Sequence, residues 1–165
     1  STVHPHAGCW LEYEDEVERA MRELPAELVG LCLDTGHFTY AGMDPIEKFR
    51  KHADRIPYMH FKSIDAAVLE RLREQKLGFW EGITGGVFCP LEHGVVDYPA
   101  LLRAMKACNY SGWATIEQDV DNKAFIGEEA KLSGPALSCK QSLAYLRSLG
   151  VVGPRAAQAG AAHSA

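Results

Sequence analysis

Acidic and basic side chains recur where short apolar segments of this sequence end. Asp34 follows the apolar run LVGLCL, and His60 and Glu117 come late in the segments IPYMHF and GWATIE. Two carboxylates and one imidazole, with no thiolate among them, suit a divalent ion such as Mn²⁺, Co²⁺ or Mg²⁺. Such an ion polarises the carbonyl of a hydroxyketone and acidifies the neighbouring C–H bond. These three residues are therefore candidate metal ligands.

His37 and Lys62 lie close in sequence to these candidate ligands. Lys62 is two residues beyond His60, and alternate residues of a strand face the same side. It can therefore serve as an acid, a base or an oxyanion stabiliser at the same site. Taken singly, an aspartate at a strand end is more often a cap, and a histidine such as His37 is as readily a structural hydrogen-bonding residue as a functional one. Their joint occurrence favours a reaction centre.

The elements that position these residues alternate along the chain. Apolar runs predict strands around residues 1–6, 28–34, 56–65 and 112–119. Amphipathic patterns predict helices over residues 13–24, 45–55, 66–77 and 136–149, with another beginning after Asp97. The segment TGHFTYAGMD is expected to be a loop, and the glycine-rich stretch over residues 78–96 is expected to be irregular.

This alternation predicts an α/β fold with a parallel sheet and helical crossovers. A doubly wound sheet and a TIM barrel share the pattern, but the glycine-rich phosphate fingerprint of a Rossmann fold is absent. Pairs of polar residues at the carboxyl ends of the strands are typical of the rim that carries the active site of a TIM barrel. These pairs are His4 and His6, Asp34 and His37, His60 and Lys62, and Glu117 and Asp119.

Composition narrows the function classes. The 165-residue chain has a net charge of −5, which argues against a nucleic-acid partner, and no apolar run is long enough to cross a membrane. The five cysteines are odd in number and form no CxxC pair, which favours a reducing cytoplasm. Residues 151–165 consist mostly of small residues without a periodic pattern, which predicts a disordered tail.

Five stretches of the chain carry a family resemblance: HPHAGCWLE, LCLDTGHFTYAGMDP, HADRIPYMHFKSID, GVFCPLEHGVVDYPALLRAMKACNYSGWATIEQD and SLAYLRSLG. Together they resemble the sugar isomerase/epimerase superfamily of xylose-isomerase-like TIM barrels, over nearly all of residues 3–150. Within this superfamily the similarity is greatest to the inosose dehydratases of inositol catabolism. The Asp-Thr-Gly-His element and the His-x-Lys strand are specific for the superfamily more than for a substrate.

The resemblance implies roles for individual residues. Asp34, His60 and Glu117 match metal ligands on strands six, seven and eight of such barrels, with Mn²⁺ or Co²⁺ as the expected ion and Mg²⁺ as a further candidate. His37 and Lys62 match positions that contact the substrate, and we expect them to be catalytic. The implied substrate is a small cyclitol or sugar.

Two departures from the family pattern concern the substrate pocket. The superfamily usually takes a further glutamate ligand from strand five, but the corresponding segment TVHPHAG lacks one. His4, His6 and Glu12 are candidates to replace it, and we expect His6 and Glu12 to line the pocket. Where relatives often carry Gly-x-Gly, this chain reads LEHG, which makes His93 a third expected substrate-binding residue.

The expected activity is the dehydration of a keto-cyclitol such as 2-keto-myo-inositol, by proton abstraction beside a metal-bound ketone and loss of the β-hydroxyl. Since a whole barrel needs roughly 200 residues or more, residues 1–150 are expected to form the C-terminal half, strands five to eight. A half-barrel exposes two sheet edges, which favours a homo-oligomer. Two alternatives stay open, a metal-dependent sugar or ketose isomerase or epimerase and a non-catalytic truncated barrel.

Overall fold

A computed structural model describes residues 1–121 and 134–151 of the chain. Its strands and helices are, in chain order, β1 (Thr2–Val3), α1 (Glu14–Glu23), β2 (Gly30–Asp34), α2 (Thr35–Tyr40), α3 (Pro45–His52), β3 (Tyr58–Phe61), β4 (Ser63–Ile64), α4 (Ala66–Glu74), α5 (Phe79–Thr84), β5 (Phe88–Cys89), α6 (Tyr98–Ala107), β6 (Trp113–Ile116) and α7 (Pro135–Ser148). Two short 3₁₀ turns, Ala53–Arg55 and Leu91–His93, complete the described structure.

Four strands form one parallel sheet in the order β1-β2-β3-β6. The register places Asp34 opposite His60 and His60 opposite Thr115. Because the strands are parallel, their carboxyl ends lie along one edge, and the polar residues that follow them are neighbours. The predicted α/β fold with a parallel sheet is confirmed.

Residues 35–40 form helix α2, where the sequence predicted a loop. The helix begins directly after β2, because the Asp34 carboxylate accepts hydrogen bonds from the backbone N–H groups of Gly36 and His37, at 2.8 and 2.9 Å. A side-chain acceptor for the first free N–H groups stabilises a helix start. The helix has six residues, too few for an amphipathic repeat to be visible in the sequence.

The glycine-rich stretch over residues 78–96 is more regular than predicted. It contains α5, β5 and one 3₁₀ turn, and β5 pairs antiparallel with β4. A small apolar cluster that includes Ile64, Leu72 and Phe88 holds this substructure together. Two of its aromatic side chains, Phe79 and Phe88, consequently lie beside the carboxyl ends of the sheet.

The main core lies between the sheet and the helices that cover it. Its largest fully buried side chains include Phe38, Phe49, Met59 and Tyr98. The five cysteines form no disulfide. No helix among the described residues has the length and apolar character needed to span a bilayer. The predicted tail lies outside the described residues, except for Val151.

A second buried charge stands apart from the strand ends. The Lys48 side chain on α3 is 1 % exposed, and its ammonium contacts the carboxylates of Glu14, Glu18 and Glu47. Glu18 also binds Lys51 and His52. These contacts connect α1 to α3 on the outside of the sheet.

Candidate metal and catalytic site

Three predicted metal ligands converge at the carboxyl ends of neighbouring strands. Asp34 ends β2, His60 lies in β3, and Glu117 follows β6, with its N–H bonded to the carbonyl of Phe61. The Nδ1 atom of His60 is 3.2 Å from Asp34 Oδ2 and 3.0 Å from Glu117 Oε2. One ligand atom from each residue lies within 4.8 Å of the others.

This arrangement fits a divalent ion. Two oxygens and one imidazole nitrogen are donors that Mn²⁺, Co²⁺, Mg²⁺ and Zn²⁺ accept. Ligand atoms bound at about 2.1 Å, with angles between 90° and the tetrahedral value, lie about 3.0–3.4 Å apart. The separations of His60 Nδ1 from Asp34 and Glu117 fall in this range.

Lys62 lies among the same carboxylates. Its Nζ atom is 3.2 Å from Asp34 Oδ2, 2.7 Å from Glu117 Oε2 and 2.8 Å from Asp119 Oδ2, and the side chain is 1 % exposed. Burial alone would lower the pKa of Lys62, but the carboxylates, Asp34 first among them, outweigh it and raise that pKa. A buried ammonium is therefore held against three carboxylates.

Helix α2 and its neighbours fix the position of Lys62. The Thr35 hydroxyl accepts a hydrogen bond from the Lys62 N–H at 2.9 Å, and the Tyr98 hydroxyl donates to the Lys62 carbonyl at 3.0 Å. Gly36 lets the side chain pass, since a Cβ atom there would be only 2.6 Å from Lys62 Cγ. The glycine of Asp-Thr-Gly-His thus makes room for the lysine of His-x-Lys.

His37 is the second predicted catalytic residue, and it contacts Lys62 directly. Its Nε2 atom is 3.0 Å from Lys62 Nζ and 3.6 Å from Asp119 Oδ2. Burial, more than any neighbouring charge, lowers the pKa of His37 to about 3. The imidazole is therefore neutral at neutral pH, and its Nε2 atom can accept a hydrogen bond from the Lys62 ammonium.

The pKa values of the three candidate ligands are strongly shifted. Hydrogen bonds with Asp34, Cys32 and Glu117 raise the pKa of His60 to about 12. The hydrogen bond from His60, followed by the contact with Lys62, lowers the pKa of Glu117 to about 2. Burial opposes ionisation of Asp34, but the imidazoles of His4 and His60 outweigh it and hold its pKa well below the usual value. Without a metal, His60 is an imidazolium between two carboxylates.

The three predicted substrate-binding residues are distributed differently. His6 borders the cluster, since its ring centroid is 3.7 Å from that of His37. Glu12 does not contact the cluster, because its carboxylate accepts a hydrogen bond from the N–H of Gly8 at 2.9 Å. His93 is exposed and pairs with the neighbouring Glu92 at 3.5 Å, so the structure does not bring it to the site.

Two members of the cluster were given no preferred role in the predicted site. Both were noted among the strand-end pairs, and His4 was also one of the candidates to replace the missing glutamate. Asp119 binds Lys62, and His4 lies against Asp34 with 3.6 Å between Nε2 and Oδ2. Their position after β6 and β1 was the available signal. The direction of their side chains was not readable from the sequence, because strand ends also carry solvent-facing residues.

A cavity of about 320 Å³ opens beside the cluster. It is lined by His6, Phe79, Trp80, Ile83, Gln118, Asp119 and Val120. Such a volume lies at the lower end of the range for small-molecule sites. The aromatic rings come from α5, in the stretch that was expected to be irregular.

Comparison with known proteins is consistent with this architecture. Residues 2–149 match the family model described as Xylose isomerase-like TIM barrel. The chain belongs to this family. Its fold is therefore an α/β fold of the TIM-barrel type, and the family resemblance found in the sequence is confirmed.

Curated relatives within the Xylose isomerase-like TIM barrel family include enzymes named inosose dehydratase. The one from Geobacillus thermodenitrificans is 33% identical over 118 residues, which cover 72% of this chain and 40% of the relative. The rhizopine catabolism protein MocC of Rhizobium meliloti is 36% identical over 145 residues, which cover 87% of this chain and 44% of that protein. The chain thus spans less than half the length of these two relatives.

Solved structures share the fold at low identity. The probable 3-DHS dehydratase AsbF from Bacillus anthracis superposes with a TM-score of 0.59 and 18% identity, covering 88% of this chain and 48% of AsbF. The IolI protein, crystallised with a zinc atom, gives a TM-score of 0.58 and 18% identity, covering 90% of this chain and 47% of IolI. At this identity the comparison concerns the fold alone.

Proposed function

We propose that the protein containing this chain is a metal-dependent dehydratase that acts on a keto-cyclitol, with 2-keto-myo-inositol as the candidate substrate. The observation that carries the proposal is the convergence of Asp34, His60 and Glu117 around the buried ammonium of Lys62. The relatives named inosose dehydratase support the choice of reaction and substrate class. Because the chain spans 40% of the length of these relatives, we propose the activity for the whole protein.

In this proposal Asp34, His60 and Glu117 hold the ion. Mn²⁺ and Co²⁺ are the preferred candidates and Mg²⁺ a further one, and the zinc atom in the IolI structure adds Zn²⁺ to the ions worth testing. When bound, the ion would polarise the ketone of the substrate and acidify the adjacent C–H bond. His60 must lose its proton to serve as a ligand, so metal uptake releases a proton.

Lys62 and His37 are the proposed acid–base pair. Their nitrogens are 3.0 Å apart, and both side chains are almost fully buried. Lys62 carries a proton at Nζ that can be donated to a departing β-hydroxyl, and His37 is neutral and can accept one. Asp119 holds the Nζ atom at 2.8 Å and so orients this donor.

The substrate is proposed to occupy the cavity beside the cluster. His6 and Asp119 offer polar groups for ring hydroxyls, and Phe79 and Trp80 offer flat apolar surfaces for the C–H face of a cyclitol ring. Glu12 lines an adjacent cavity of about 400 Å³, together with Arg73 and Lys76. Glu12 is proposed to contact the substrate from that cavity, without contacting the ion. His93 lines neither cavity.

We further propose that β1, β2, β3 and β6 correspond to strands five to eight of a complete barrel, with residues 1–150 as its C-terminal half. In the part of the chain that the structure describes, β1 and β6 are the outer strands of the parallel sheet. An open sheet edge is a template for further pairing, which supports a homo-oligomer or a second half-barrel as the partner. A cytoplasmic location stays a prediction.

Metal analysis followed by product analysis tests the proposed function. The purified protein is loaded with Mn²⁺, and its metal content is measured by mass spectrometry alongside turnover of 2-keto-myo-inositol. A dehydratase forms a product lighter by one water, whereas an isomerase or epimerase forms one of equal mass. His60→Ala should lose both the ion and turnover, and Glu18→Gln, outside the cluster, should keep both. Unchanged metal content and turnover in His60→Ala would refute the proposal.

A further inference from the structure

One buried nitrogen beside the candidate metal ligands makes no hydrogen bond. The Nε2 atom of His4 is buried and makes no hydrogen bond within the part of the chain that the structure describes. The nearest carboxylate oxygen, Asp34 Oδ2, is 3.6 Å away, beyond hydrogen-bond range. Buried polar atoms in proteins nearly always have a partner, so an orphaned one calls for an explanation.

We propose that His4 Nε2 is the fourth protein ligand of the metal centre, an inference that rests on the proposed function. β1 pairs with β2 and places Val3 opposite Leu31, so His4 follows at the level of Cys32, two residues before Asp34. The ring centroid of His4 is 4.7 Å from that of His60, and its free nitrogen is directed at the carboxylate that also contacts His60. An ion between these groups would give Nε2 the partner that it lacks.

The other candidates for this position are already engaged. His6 directs Nδ1 to the carbonyl of Ala7 at 2.8 Å, and it groups with His37 and Asp119 instead of Asp34. Glu12 is bonded to the N–H of Gly8. Neither residue contacts Asp34 in the described structure, whereas His4 does.

A competing arrangement uses Cys32. His4, Cys32 and His60 offer ligand atoms within 4.8 Å of one another, as do His4, Asp34 and His37, and the cysteine is buried under the strand ends. A thiolate would select a softer ion such as Zn²⁺, whereas His4 with Asp34, His60 and Glu117 makes a mixed nitrogen and oxygen set. The two arrangements share two histidines and differ in whether sulfur or carboxylate completes the set.

Cobalt binding distinguishes these arrangements without any activity assay. The full chain is titrated with Co²⁺, and affinity is followed by the visible d–d absorption while the near-ultraviolet region reports sulfur-to-cobalt charge transfer. We expect His4→Phe, which keeps the ring and removes the nitrogen, to bind Co²⁺ at least ~100-fold more weakly, since even groups that only orient ligands contribute 10–100-fold. His4→Glu should restore most of the affinity, and His93→Phe, an exposed histidine outside the cluster, should bind as the wild type does.

The outcomes separate this inference from the proposed function. If His4→Phe binds Co²⁺ as tightly as the wild type, His4 is not a ligand, while the three-residue metal site stands. A charge-transfer band that Cys32→Ser abolishes would overturn the inference in favour of the thiolate arrangement. If the wild type binds no ion, the inference and the proposed metal dependence both fail. Should His4→Phe not fold, ¹⁵N spectra of the histidines in wild-type protein with Zn²⁺ decide, because a ligated Nε2 of His4 must shift.

Discussion

Replacement of Lys62 by methionine tests whether its ammonium takes the place of a cation among the carboxylates of the site. The Nζ atom lies within 3.2 Å of oxygens from Asp34, Glu117 and Asp119. Methionine keeps most of the apolar length of the side chain and removes its charge. We expect Lys62→Met to be less stable without metal and to bind a divalent ion more tightly.

The loss of stability follows from the burial of the partners. Removal of one member of a buried ion pair costs about 3–5 kcal/mol, because the remaining charge is left uncompensated. Asp34 is fully buried, but the side chains of Glu117 and Asp119 are 36 % and 28 % exposed and can be rehydrated. The lower value, about 3 kcal/mol, therefore applies, which for a domain of this size lowers the unfolding midpoint by about 6–12 °C.

In contrast to stability, metal affinity should increase in Lys62→Met. An ammonium and a dication compete for the same carboxylate oxygens and repel each other, so removal of the ammonium favours the ion. We expect at least a tenfold gain in affinity, which corresponds to about 1.4 kcal/mol. A ligand that binds only the folded state raises its stability by RT ln(1 + [L]/Kd), so tighter binding stabilises more. Added metal should therefore recover part of the lost stability.

Thermal unfolding with and without Mn²⁺ measures both effects, and Lys48→Met is the matched control. Lys48 is as buried as Lys62 and also contacts three carboxylates, but these lie outside the site and two of them are more than half exposed. The control should lose only about 1–2 kcal/mol, and Mn²⁺ should raise its midpoint as it does for the wild type. Turnover should be lost in Lys62→Met and kept in Lys48→Met.

Two results would refute this reasoning. If metal-free Lys62→Met unfolds at the same temperature as the wild type, the ammonium does not hold the carboxylates together. If Mn²⁺ raises the midpoint of Lys62→Met by no more than that of the wild type, the ammonium and the ion do not share a site.

Three further predictions follow from the same structure. Asp34→Asn keeps a good N-cap for α2 but removes a charged ligand. Its Mn²⁺ affinity, measured by calorimetry, should therefore fall at least ~100-fold, with little change in helix content. A clear loss of helix content would mean that the cap had failed. Gly36→Ala places a Cβ atom against Lys62, and kcat should fall at least ~10-fold through displacement of that side chain, with a wild-type kcat as the contrary result. Burial opposes the ionisation of Glu18, but hydrogen bonds from the adjacent lysine and histidine side chains lower its pKa to about 2. The ionised Glu18 therefore stabilises the fold above pH 4.5, and this stabilisation is lost as the pH falls towards 2. The free energy of unfolding of Glu18→Gln in urea should be about 1 kcal/mol below that of the wild type at pH 7, and the difference should shrink at pH 3. A difference independent of pH would contradict this.

The sequence by itself determined the order of the main strands and helices and the edge of the sheet at which polar residues gather. Apolar runs and helical spacing are local properties, and a parallel sheet places the carboxyl ends of its strands on one side whatever the details of packing. For that reason the sequence alone points to Asp34, His60, Lys62 and Glu117. Their roles as ligands and acid–base groups stay predictions.

Tertiary structure decided which side chains meet at that edge. Gly36 is needed because the side chain of Lys62, from a different strand, passes against it. The helix over residues 35–40 starts at a local cap by Asp34, but it is too short to show a pattern in the sequence. His4 and Asp119 enter the cluster through strand register and side-chain direction, whereas His93, which the pattern also favoured, faces solvent. Spacing along a chain specifies the face of an element, but only packing sets the distance between two side chains from different elements, and the chemistry of a site depends on that distance.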